Sequence, residues 1–358
     1  MKKRIAFCIN QIGDGGAERV IVGLANYFFS KGYEVYMITS FVCEQEYDLD
    51  KGIRRIVLSQ RFRKKNALIK NIGWIKEIRR LCKTEKIECI VGFLRESSVR
   101  VILSTIGLDT LSVFSVRGNP QYEYEGLTNK LIKNILLPVA DGAVFQTKAA
   151  SMSFSNRIQK KSTVIPNGMG DDFFKIERRP IRNLVVAVGR LDSVKNFPML
   201  IKSIQQAKQA IKDIKLEIYG IGEEENHLKE LIEELELTDN IRLMGATKEI
   251  DMVYEKADLF VLSSDHEGMP NALMEALAAG VPCISTDCPV GAPGWLLNGG
   301  ECGLLVPVND SEKMAEAIVK LLLDRELLQS YGQKGKEWVS QFKLDKIHSE
   351  WEEYINTL

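Results

Sequence analysis

The sequence predicts an α/β protein built from two Rossmann-like, doubly wound domains. Three observations carry this. Short apolar runs alternate with helix-period segments along most of the chain, the pattern of parallel sheets covered by helices. At 358 residues the chain is long for a single core. The alternation halts at Pro166-Asn167-Gly168, passes through a charged, Pro-containing connector, and restarts at residue 184.

In chain order, residues 4–9 form the first strand, 11–16 a Gly-rich turn and 17–30 a helix with Val20, Val22, Leu24, Tyr27 and Phe28 as apolar positions. Strands follow at 34–39 and 53–58, then a basic segment at 61–83, then strands at 87–92, 112–116, 142–146 and from 163. The second half gives strands at 184–188, 216–219, 241–244, 257–262 and 283–286, and reads as mostly helical beyond Asp310. Its densest stretch is 263–287. There an apolar strand runs into a loop holding Glu267 and Gly268, and Pro270 is placed as the first helical residue. The helix covers 271–279 and stops at Gly280-Val281-Pro282.

The chain is 45% hydrophobic and 27% charged, ordinary for a globular protein. No apolar run approaches the eighteen or so residues that span a bilayer, and the MKKRIAFCIN opening reads as a strand, not a signal peptide. Seven cysteines and three scattered histidines show no metal-ligand spacing, and reduced thiols are the simple account. The zero net charge hides an asymmetry: 27 Lys/Arg against 15 Asp/Glu up to Pro166, and 21 against 33 afterwards. Residues 61–83 hold nine of those basic residues and one Glu, interleaved with Leu68, Ile69, Ile72, Trp74, Ile75, Ile78 and Leu81. That composition fits a basic amphipathic helix on an anionic membrane, and equally a helix packed on its own sheet. Nucleic acid is not expected, since no nucleic-acid fold signature accompanies the charge.

Several motifs sit where strands end. Gly13-Asp14-Gly15-Gly16 opens a helix, where backbone can approach a phosphate closely. It is not the dinucleotide fingerprint, because Glu18 stands where the third Gly belongs, and this disfavours an NAD oxidoreductase. Arg190 and Lys195 leave a strand end in GRLDSVKN, two cations suited to a diphosphate. Gly220-Ile221-Gly222 and Met244-Gly245 end neighbouring strands. Asp48 and Asp50 spell a D-x-D metal motif but lie far in sequence from these loops, and no metal is expected.

Glu267 and Glu275, in the setting EGMPNALMEALAAGVPCIST, closely resemble the signature of glycosyltransferase family 4, retaining enzymes of the two-domain GT-B fold. The GGAER loop, the GRLDSVKN loop and the Gly220 and Met244 turns match that family too. The resemblance is to bacterial capsule, lipopolysaccharide and lipid-linked-oligosaccharide enzymes. It implies a cleft between an acceptor-binding domain (1–168) and a nucleotide-sugar-binding domain (169–340), with a last helix (341–358) crossing back onto the first. It implies that Arg190 and Lys195 hold the donor diphosphate, that Glu267 meets the sugar and acts in catalysis, and that Glu275 meets the ribose. Gly15, Gly16, Gly220, Met244, Gly268, Met269, Pro270 and Asn271 would complete the donor site, with no cofactor. Some members place a functional His near Arg117, which makes Arg117 the candidate on the acceptor side. The 287–294 loop departs from the family: Gly294-Trp295 stands where Arg-Glu or another acidic residue is common.

The expected reaction moves a hexose or N-acetylhexosamine from a UDP-linked donor to a glycan acceptor, lipid-linked by preference. The expected location is the cytoplasmic face of the plasma membrane, with residues 61–83 on the anionic surface. A nucleotide-sugar epimerase or phosphorylase of the same architecture, or a non-catalytic nucleotide-sugar-binding protein, are the alternatives.

Overall fold

The structure, a computed structural model, describes residues 3–13 and 15–358. Two compact units divide the chain: residues 1–168 with 345–358, and residues 169–344.

The first unit is a seven-stranded parallel sheet: β1 (Arg4–Ile9), β2 (Glu34–Thr39), β3 (Arg54–Val57), β4 (Cys89–Phe93), β5 (Leu111–Val116), β6 (Gly142–Phe145) and β7 (Ser162–Val164). Their order is β3-β2-β1-β4-β5-β6-β7. Its central strands are buried on both faces, which is why they read as continuous apolar runs. Helix Gly16–Ser30 buries Ile21, Leu24, Ala25 and Phe28 on one face of the sheet. Helix Ala67–Thr84 buries Trp74, Ile78 and Leu81 on the other.

The second unit has six parallel strands: β8 (Leu184–Val188), β9 (Lys215–Tyr219), β10 (Ile241–Gly245), β11 (Leu259–Leu262), β12 (Cys283–Thr286) and β13 (Leu304–Val306), in the order β10-β9-β8-β11-β12-β13. The expected α/β, doubly wound architecture is therefore present in both units. Strand β13 was not anticipated. Three residues after a Gly are too few for a periodicity, and only pairing with β12 makes them a strand.

The last helix, Leu344–Thr357, packs on the first unit. Ile347, Trp351 and Ile355 recur every four residues and are buried in the first unit's core. The Trp351 ring stacks on Phe93 at 5.7 Å. Tyr354 Oη accepts from Ala143 N at 2.8 Å and donates to Lys161 O at 2.6 Å. Glu352 accepts from the hydroxyls of Tyr27 and Tyr33.

Two local expectations need correction. The basic segment is not one helix from 61. A 3₁₀ turn covers Gln60–Phe62, and the helix starts at Ala67, where the Asn66 side chain caps Ile69 N at 2.9 Å. Of the two readings left open for its apolar positions, Trp74 follows the sheet-packed one: it is buried against Phe41, its indole N–H donating to Ser59 O at 3.3 Å. Second, Pro270 precedes the helix as its cap residue, with an extended backbone (φ −73°, ψ 108°), and the helix covers Asn271–Ala278.

His348 is enclosed beside Tyr27 and Gly23, and burial lowers its pKa to about 4 although Asp345 opposes the shift. A buried neutral imidazole stabilises the fold above the unfolded-state value near 6.5, and that contribution disappears as pH falls through about 4. Between pH 7 and pH 4 the wild-type protein should lose about 3 kcal/mol more stability than a His348→Phe variant. Parallel denaturant melts at the two pH values measure this; equal losses in both proteins would show that His348 does not titrate as described.

Candidate functional site

In a parallel doubly wound sheet every strand-to-helix loop leaves at one edge, and ligands bind there. In the second unit the loops after β8, β9, β10 and β11 carry the predicted residues. Two of them interlock. Leu191 N donates to Ile221 O at 3.0 Å, and Glu224 N to Leu191 O at 2.9 Å. A Cβ at Gly220 would lie 1.8 Å from Gly189 O, and one at Gly222 2.2 Å from Leu191 O. Both glycines are thus required by the close approach of two loops. Beside them the apolar side chains of Ile221 and Met244 are exposed.

The centre of this edge is an ion pair. Lys195 Nζ lies 2.6 Å from Glu267 Oε1, with both side chains mostly buried. Ser264 Oγ donates to the same oxygen at 2.6 Å, and among the described residues neither bond reaches Oε2. Lys195 is set by a 3₁₀ turn, Ser193–Lys195, which Asp192 caps. Its carbonyl accepts from Ser263 Oγ at 2.7 Å, and Asp265 N donates to Val194 O at 2.9 Å. The Ser264 carbonyl accepts from Thr286 Oγ1 at 2.6 Å and Cys288 Sγ at 3.1 Å. Asn196, in the left-handed region, caps the next helix and donates to Asp265 Oδ1 at 2.7 Å. Arg190 differs from Lys195: its side chain is 79% exposed and touches Asp192 at 3.0 Å, so it can swing toward a ligand.

Glu275 is buried one turn into helix Asn271–Ala278, and its Oε2 accepts from the buried Tyr254 Oη at 3.0 Å. Met269 and Pro270 are buried, and Gly268 and Asn271 half-buried, at the same helix entrance. Trp295, where the sequence lacks the expected acidic residue, packs 5.0 Å from Phe342, and its carbonyl accepts from Trp338 Nε1. Here the chain spends that position on its core.

The remaining predicted residues belong to the first unit. Gly15 caps helix Gly16–Ser30, and a Cβ there would collide with Glu18. Asp14 lies outside the described residues. Arg117 follows β5 and is buried, its guanidinium 4.5 Å from the Phe93 ring and 5.3 Å from the Trp351 ring. Nη1 donates to Asn167 Oδ1 at 3.0 Å, while Nε and Nη2 have no partner among the described residues. Burial lowers its pKa to about 9. Asp50 caps its own turn at Gly52 N, and no cluster of three metal-ligating side chains occurs among the described residues.

Comparison with known proteins decides what this edge belongs to. Residues 14–173 match the model described as Glycosyltransferase Family 4, and residues 169–338 that described as Glycosyl transferases group 1. The chain belongs to the family-4 glycosyltransferases. This glycosyltransferase is 26% identical to an uncharacterized glycosyltransferase of Haemophilus influenzae, over 98% of this chain and 99% of that one. It is also 26% identical, over 97% of each chain, to a Campylobacter jejuni alpha-1,4-N-acetyl-D-galactosaminyltransferase named for a diNAcBac-PP-undecaprenol-linked acceptor. The structure of Anabaena HepE in complex with UDP and glucose superposes with a TM-score of 0.86 at 18% identity, covering 99% of this chain and all of that one. The GT-B fold of this glycosyltransferase follows from that likeness.

From sequence, Ser264, Tyr254 and Thr286 had no role at this edge, and Cys288 was marked only as part of the 287–294 loop. Ser264 stands three residues before Glu267 and was within reach of a local reading. Tyr254 is 21 residues from Glu275 and carries no local signal. A Tyr254→Phe variant removes the hydroxyl donor from a buried carboxylate, and its stability should fall by about 1–3 kcal/mol. Thermal and denaturant melts of the purified variant measure this, and an unchanged midpoint would show that Glu275 does not depend on the bond.

Proposed function

We propose that this glycosyltransferase moves a hexose or N-acetylhexosamine from a UDP-linked donor to a hydroxyl of a lipid-diphosphate-linked saccharide, with retention of anomeric configuration and without a metal ion. The Lys195–Glu267 pair, with exposed Arg190 on the loop that interlocks with the one bearing exposed Ile221, and Met244 on the next strand, carries this reading. The second unit would hold the donor and the first the acceptor. Ile221 and Met244 offer a surface for the base, and Glu275 an acceptor for ribose hydroxyls. Arg190 would swing from Asp192 onto the diphosphate, and Lys195 would share its charge between Glu267 and a phosphate oxygen. Glu267 Oε2 would accept from a sugar hydroxyl while Oε1 stays anchored.

Chemistry then needs no acid for the leaving group. The bond from C1 of the sugar to the phosphate oxygen breaks, UDP takes the electron pair, and the two cations stabilise the growing charge. The acceptor oxygen bonds C1 from the same face and passes its proton to the departing phosphate. Support for the acceptor class comes from relatives named for undecaprenol-linked saccharides, and for the donor from a fold relative crystallised with UDP and glucose. Arg117, buried beside the C-terminal helix, remains the acceptor-side candidate, with Nε and Nη2 lacking a partner among the described residues as its support. The exposed basic residues Arg63, Lys64 and Lys65 before helix Ala67–Thr84, with exposed Leu68, Ile69 and Ile72, would meet the anionic cytoplasmic face of the plasma membrane.

A thermal-shift panel of nucleotide-sugars, with and without EDTA, tests the donor; a ligand at a hundred times its Kd adds about 2.7 kcal/mol to stability. One UDP-sugar should shift the melt independently of EDTA. Arg190→Ala should lower kcat/KM about 100-fold, and Glu267→Gln should lower kcat far more than it weakens donor binding. A product of inverted configuration, or turnover abolished by EDTA, would overturn the mechanism.

A further inference from the structure

The segment between β5 and β6 of the first unit winds as one helical rod that changes pitch. It is α-helical over Leu127–Leu131, a π-helix over Ile132–Leu136 and 3₁₀ over Leu137–Val139. Seven of its thirteen residues are aliphatic. Leu137 and Pro138 are buried toward the domain. Leu127, Leu131, Ile135 and Val139 are not: they are 82%, 55%, 66% and 49% exposed. These four recur at every fourth position. In an α-helix that spacing drifts around the axis, and the wider π turn reverses the drift, so the side chains stay in one stripe. A helix apolar on both sides is found in a large core or against lipid, and among the described residues no element covers these four side chains.

Charge identifies what does. From Gly126 to Gly168 the chain carries Lys130, Lys133, Lys148, Arg157, Lys160 and Lys161 against a single acid, Asp141. Lys130, Lys148, Arg157 and Lys160 are exposed. Lys133 is half-buried, its ammonium 4.7 Å over the Phe154 ring. Helix Leu94–Thr105 packs against both the rod and helix Ala67–Thr84, so the rod shares a sheet face with the exposed Leu68, Ile69 and Ile72.

We infer that the rod 127–139 is an interfacial membrane anchor, whose Leu127, Leu131, Ile135 and Val139 stripe enters the acyl boundary of an anionic bilayer while the flanking lysines and Arg157 meet the headgroups. This adds an apolar insertion to the electrostatic contact of 61–83, and it rests on the lipid-linked acceptor proposed above. Affinity for a surface of this kind has both an apolar and a salt-sensitive part.

The test uses the full chain and vesicles of phosphatidylglycerol with phosphatidylcholine, against phosphatidylcholine alone. Wild-type protein should cosediment with the anionic vesicles and be partly released by salt. The combined Leu127→Ser, Leu131→Ser, Ile135→Ser variant should bind at least about tenfold more weakly while its nucleotide-sugar thermal shift is kept. A single Leu131→Trp variant gives a second readout that does not depend on a triple substitution folding. Its added fluorescence should shift to the blue on anionic vesicles and be quenched by brominated acyl chains. Unchanged vesicle binding by the triple variant, or no quenching at position 131, overturns the anchor. A wild-type dimer that the triple variant dissolves, with vesicle binding unaltered, overturns it in favour of self-association. Absence of any nucleotide-sugar shift in the wild type would sink the proposed function and leave the vesicle result to be read by itself.

Discussion

A carboxylate and an ammonium 2.6 Å apart, Glu267 and Lys195, hold the second unit's ligand edge together. They are 72 residues apart in sequence and meet because β8 and β11 are neighbours in the sheet. Each strand delivers its loop to the same edge, and the loops are then tied to each other by Ser263 to Lys195 O, Asp265 N to Val194 O and Ser264 to Glu267. Thr286 and Cys288, from the strand on the far side, fix the Ser264 carbonyl. A buried charge needs its partner and its hydrogen bonds to be tolerated, and this edge supplies both from three adjacent strands.

The same logic governs the base of the second unit, away from the ligand edge. Asp258, fully buried before β11, takes a bidentate grip from Arg325 and a backbone N–H from Asn183. Arg178 donates to the carbonyls of Gly280 and Ala257. The strands that carry the ligand edge are thus tied to one another at their other ends as well. Arg190 is the exception, 79% exposed and paired with Asp192 at 3.0 Å.

In the first unit the C-terminal helix packs against Arg117 as well as against the core. Phe93 and Trp351, stacked on each other at 5.7 Å, both lie beside the Arg117 guanidinium, so a residue at the end of β5 is positioned in part by a helix more than 200 residues later. Removing that helix would expose both the core around Ile347 and Ile355 and the cation beside it.

Much of this was readable from the chain. Strands buried on both faces write themselves as apolar runs, so β8 and β12 have the bounds expected, and Gly-rich turns mark their exits. Arg190, Lys195 and Glu267 stood out in loops that follow strands, and Glu275, well inside a helix, stood out only through its spacing from Glu267 in EGMPNALMEALAAGVPCIST. Three things were not. Whether Trp74 faced lipid or core depended on which side of helix Ala67–Thr84 met the sheet, and a basic amphipathic pattern fits both. Tyr254, the donor to Glu275, comes from another helix, and a long-range hydrogen bond leaves no periodicity. The exposure of Leu127, Leu131 and Ile135 was hidden because an apolar residue in a helical segment looks the same whether it is covered or bare. Local sequence fixes propensity, period and turn chemistry, since these act between near neighbours. Burial and pairing between distant segments are decided only when the sheet closes.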